Sequence, residues 1–101
     1  MRLVTTDEVL NEFLAFFSAY GSEMRIQSAR SVREFLSDPT IQVVPQTRLT
    51  FLAGVSLYEA RPDKSYSLTD CISMATMRDQ GIKDVLTHDV HFTQEGFTIL
   101  L

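Results

Sequence analysis

Apolar positions change their spacing several times along the 101 residues, and each change marks an element. Leu3, Val4 and Thr5 read as the tail of a short strand. Val9, Leu10, Phe13, Leu14, Phe16, Phe17 and Tyr20 then follow at helical spacing. Thr5 stands three residues before Glu8, the spacing of a capping box, so the first helix is expected to open there. Gly21 is expected to end it and Ser22 to cap a second helix, with Ile26, Ala29, Val32, Phe35 and Leu36 on its buried side. Arg30 and Arg33 fall on the other side as solvated charge, and Asp38-Pro39 stops the helix.

Ile41, Gln42, Val43 and Val44 form a short, mostly β-branched run that Pro45 closes. A third helix is predicted over residues 47–60 with Leu49, Leu52, Ala53 and Leu57 buried. After the loop 61–65 a fourth helix begins near Ser67 and ends at Gly81, which reads as the glycine just past a helix end. Residues 85–87 and 97–101 read as strands. Strands alternating with helices of this length predict an α/β fold with a parallel sheet and flanking helices. In such sheets ligands bind beyond the carboxyl ends of the strands, where Thr5, Thr6, His88 and Asp89 fall.

Length allows one domain, residues 1–101, with a single core. No apolar run approaches the roughly 18 residues that a membrane span needs, and the N-terminus lacks the shape of a signal peptide. A lone cysteine, Cys71, cannot form an internal disulfide, so a cytoplasmic location is expected. Cys71 and the four methionines read as core side chains. A net charge of -4 disfavours nucleic-acid binding by charge alone. It leaves open a nuclease whose acidic site is neutralised by bound metal.

Three carboxylates raise that possibility. Glu12 borders the apolar arc of the first helix beside Phe16, a place that suits either a boundary glutamate or a functional one. Asp70 ends the sequence Ser67-Leu68-Thr69-Asp70, which fits a capping box as well as a ligand position. Asp89 follows an apolar strand, where turn chemistry and a crevice ligand are both reasonable. His88 and His91, three apart without a neighbouring cysteine, make a weak zinc signature and fit better as orienting or surface residues. Oxygen donors of this kind select magnesium or manganese, which suit phosphodiester hydrolysis. Arg25, Arg30, Arg33 and Lys64 do not rise above surface charge.

The stretches "LVTTDEVLNE", "DKSYSLTDCISMATMRDQGIKDVLTHDVHF" and "QEGFTIL" resemble the PIN-domain ribonucleases, in particular the VapC-like toxins of toxin–antitoxin pairs. The resemblance implies that Glu12, Asp70 and Asp89 hold the metal, and that Thr87 supplies the hydroxyl found two residues before the last aspartate. It also implies Mg2+ or Mn2+ as cofactor, RNA as substrate and an antitoxin protein as partner. PIN domains open on a strand ending in a D-[TS]-[SA] motif, and no such motif precedes Leu3. The expectation is therefore an N-terminally truncated PIN-like domain without the family's central first strand and first acidic ligand. Its edges would then be covered either by direct pairing of the strands near Leu3 and Val85 or by a second copy, making a homodimer or larger oligomer. The expected activity is that of a metal-dependent endoribonuclease impaired by the missing ligand. The alternative is a catalytically inactive, PIN-derived dimeric binding or structural module.

Overall fold

The computed structural model describes residues 3–85 and 91–99. The chain divides into two compact units, Met1–Gln46 and Thr47–Leu101. No helix among the described residues is long and apolar enough to cross a membrane.

In the first unit, strand β1 (Leu3–Thr6) pairs in parallel with β2 (Ile41–Val44), with Thr5 opposite Val43 and Thr6 opposite Val44. Helices α1 (Asp7–Phe17) and α2 (Ser22–Ser37) lie between them in sequence. The strand uses one threonine more than expected, and this moves the helix cap. Thr6, not Thr5, caps α1, its Oγ1 accepting from the Val9 backbone N–H at 3.2 Å. Asp7 in the first turn accepts from the Gln46 N–H at 2.8 Å, which ties the exit of β2 to the start of α1. Gly21, at φ +99°, serves as the N-cap of α2, and the preceding helix ends at Ser18.

The buried face of α2 differs from the expected one. Ile26 and Leu36 are about 60% exposed, and Ala29 is exposed as well. Met24, Ser28, Ser31, Val32 and Phe35 turn inward instead, and Ser28 is buried. Phe35 meets Phe13 of α1 edge-on with ring centroids 6.4 Å apart. Ser28 is small and polar, and hydropathy gives no weight to such a residue as a buried position. Arg30 and Arg33 are exposed as expected. Asp38 closes the helix and accepts from both the N–H and the hydroxyl of Thr40, so these bonds hold its carboxyl below the usual range.

The second unit opens with α3 (Arg48–Ala60), capped reciprocally by Thr47 and Thr50. Leu49, Leu52 and Ala53, expected in the core, are exposed, and Leu57 is half-buried. Gly54 is the buried residue of this helix, set against Ile72 of α4 (Leu68–Asp79). The helix turns its glycine face toward α4, and Leu49 and Leu52 toward solvent. Helix α4 ends as expected: Gly81, at φ +70°, donates to the Arg78 carbonyl and Ile82 to that of Met77. Those two bonds make a Schellman motif.

Strand β3 (Asp84–Val85) pairs in parallel with β4 (Thr98–Ile99), and the one-turn helix α5 (His91–Gln94) precedes β4. Tyr66, Cys71, Met74, Phe92 and Phe97 form the core of this unit, with Leu57, Met77 and Val85 packed on it. Burial raises the Cys71 thiol, so this cysteine stays protonated and serves as packing. The ladder partner described for β1 is β2, and that for β3 is β4.

Candidate functional site

Asp70 is the third residue of α4, and the structure realises its capping role in full. Its N–H donates to Ser67 Oγ at 3.0 Å, and its Oδ2 accepts from the Ser67 N–H at 3.1 Å. All of that capping falls on one oxygen. The same Oδ2 lies 3.7 Å from His91 Nδ1, while Oδ1 takes no hydrogen bond among the described residues. A carboxylate held in this way, at the positive end of a helix, presents its second oxygen in a fixed direction.

His91 opens α5. Its Nε2 lies 3.0 Å from Ser65 Oγ, and the edge of its ring meets Tyr66 with centroids 5.3 Å apart. Tyr66 is buried and donates its hydroxyl to Glu95 Oε1 at 3.3 Å. Burial above all, with Glu95 beside it, pushes the Tyr66 phenol up, so it remains a donor.

Glu95 went unread in the sequence and is the most heavily bonded acid described. Its side chain is only 4% exposed, between Arg61 at the end of α3 and Arg78 in the last turn of α4. Arg61 reaches both oxygens through Nε and Nη2, the latter at 3.3 Å from Oε2. Arg78 Nη2 donates to Oε2 at 2.6 Å and to the Glu95 carbonyl at 3.0 Å, and its guanidinium lies over the Phe97 ring. Hydrogen bonds from Arg61 hold the Glu95 carboxyl below the ordinary range against the opposing effect of burial, and Arg78 assists.

The remaining predicted residues fall in different places. Glu12 is an exposed residue of α1, and Phe16 beside it is 64% exposed. One turn earlier Glu8 is buried, and its Oε2 has no hydrogen-bond partner among the described residues. Glu8 therefore takes no part in the cap assigned to it. Thr87, His88 and Asp89 lie outside the described residues. Among the described residues no group of three or more His, Cys, Asp or Glu side chains is gathered at metal-binding range.

No family model matches the sequence, and no curated protein matches it. Among solved structures the chain is similar to Mycobacterium tuberculosis VapC20, a sarcin–ricin loop cleaving toxin. The TM-score is 0.82 at 22% identity, covering 96% of this chain and 72% of that one. The short parallel strand pairs, the intervening helices and this likeness together give the chain the α/β fold of the VapC-like PIN domains.

Proposed function

We propose that this chain is a metal-dependent endoribonuclease of the toxin class, acting in the cytoplasm, with Glu12, Asp70 and Asp89 as ligands of Mg2+ or Mn2+. The observation that carries the reading is the likeness of fold, over 96% of the chain, to a toxin that cleaves the sarcin–ricin loop. The motif residues that resemble the PIN ribonucleases support it.

Asp70 fits a hard cation, because its Oδ2 is committed to the helix cap and Oδ1 is left over. Carboxylate oxygens without a thiolate among them match magnesium or manganese. A cation bound there supplies Lewis-acid polarisation of a phosphoryl oxygen and offsets the negative charge of the RNA. The chain's own contribution is to orient the carboxylates. Asp70 is fixed by Ser67, and Thr87 brings a hydroxyl two residues before Asp89. RNA, an antitoxin protein and a second copy of this chain are the partners that follow.

The test is cleavage of single-stranded and hairpin RNA with Mg2+, Mn2+ or a chelator present. Cleavage that needs a divalent ion and stops with the chelator is the expected result. RNA retained without cleavage under any metal would favour a binding module instead.

A further inference from the structure

Ser65, His91 and Asp70 lie in a row, with Ser65 Oγ 3.0 Å from His91 Nε2 and His91 Nδ1 3.7 Å from Asp70 Oδ2. The three residue types recur in hydrolases, where the aspartate orients the histidine and the serine attacks. What differs here is the aspartate's other bond. Asp70 Oδ2 already accepts from the Ser67 N–H, so this aspartate belongs to the helix cap. At 3.7 Å the histidine stands beyond direct hydrogen-bond range, close enough for a bridging water or a small carboxylate rotation.

We infer that His91 is a positioning residue for Asp70, and that Ser65 sets the tautomer with which it does so. The inference rests on the reading of Asp70 as a metal ligand. A carboxylate oxygen only accepts, so the imidazole proton facing it sits on Nδ1. Nε2 is then an acceptor, and the Ser65 hydroxyl donates to it. From 3.7 Å the Nδ1–H faces Oδ2 and, through a water or after a small carboxylate rotation, favours the ionised carboxylate with Oδ1 outward. Groups of this kind, one step removed from the ligand, commonly govern metal affinity.

The position of His91 is itself secured. Helix α5 is too short to be stable by its own hydrogen bonds. Glu95, four residues beyond His91, is gripped by Arg61 and Arg78, and Tyr66 bonds Glu95 with its hydroxyl while its ring meets His91. The buried acid thus anchors the segment that carries the imidazole.

Two readouts test this, neither of which is RNA cleavage. The first is Mn2+ affinity by electron paramagnetic resonance for the unaltered protein, His91→Ala, His91→Asn and Asp70→Asn. The expected order is a loss on the order of tenfold or more for His91→Ala. His91→Asn, whose amide N–H can replace Nδ1–H, should recover most of it, and Asp70→Asn should lose the most. The second is the 15N shift pattern of His91 in the unaltered, metal-free protein, expected to show the Nδ1–H tautomer. An Nε2–H tautomer overturns the inference, as does unchanged Mn2+ affinity in His91→Ala while Asp70→Asn loses it. Unchanged affinity in Asp70→Asn would overturn the metal-ligand reading as well.

Discussion

Arg78 Nη2 and Glu95 share two bonds, at 2.6 Å to the carboxylate and 3.0 Å to the carbonyl, so one guanidinium holds both ends of one residue. Arg61 and Tyr66 complete the grip. A nearly buried acid is stable in this place only as long as it is ionised and paired.

Replacing Glu95 with alanine should cost about 2 to 3 kcal/mol in a chemical denaturation experiment. The figure lies below that for a fully buried pair because Arg61 and Arg78 are 36% and 45% exposed and can turn to water.

The same residue gives a pH dependence. The carboxyl of Glu95 is depressed in the folded chain, so its stabilisation is complete above the unfolded value, near 4.3, and is lost as pH falls through the folded value. Glu95→Gln should lower the Tm at pH 7 and flatten the fall in Tm below about pH 4. Thermal melts from pH 7 to pH 2 check both effects. Asp38, also depressed, keeps its share of the acid limb in the variant.

Gly54→Ala should destabilise the protein by about 1 to 3 kcal/mol, the range for overpacking. A Cβ there would meet Ile72 Cγ1 and come within 3.2 Å of the Ile72 backbone. Combining it with Ile72→Ala, which removes the obstructing side chain, should give a double variant less destabilised than the two single effects predict. Denaturation midpoints of the four proteins measure that coupling.

What could be read from sequence was local. Ser67 with Asp70 and the glycine after α4 signal themselves within a few residues, and both act as expected. The packing faces were harder. Helices α2 and α3 bury Ser28 and Gly54, small residues that hydropathy discounts, and leave Ile26, Leu36 and Leu49 outside; at Gly54 the absence of a side chain lets Ile72 come close. A hydrophobic wheel weights large side chains and so chooses the wrong face. The Glu95 cluster was out of reach for another reason: its arginines lie 17 and 34 residues away, and nothing local pairs them.

Those outward leucines carry a prediction about assembly. Leu49 is 80% exposed and Leu52 50%, on one side of α3. Sedimentation equilibrium at micromolar concentration should show a homodimer or larger species, burying exposed apolar surface of this kind. Leu49→Lys with Leu52→Lys should shift it toward monomer with little loss of stability. A well-folded monomer of 11.5 kDa for the unaltered protein would contradict this.

The central claim is that Asp70 is a ligand as well as a helix cap, and two substitutions separate those roles. Asn at position 70 keeps an oxygen for the Ser67 N–H but loses the charge that a cation needs. Ser67→Ala removes the hydroxyl that accepts from the Asp70 N–H and leaves the carboxylate. Mn2+-dependent RNA cleavage and thermal stability measured together on both variants decide the matter. The account predicts that Asp70→Asn remains nearly as stable as the unaltered protein and loses cleavage. It predicts that Ser67→Ala loses about 1 kcal/mol and still cleaves to within several-fold. Asp70→Asn cleaving RNA at the unaltered rate, with the same dependence on Mn2+, would contradict it.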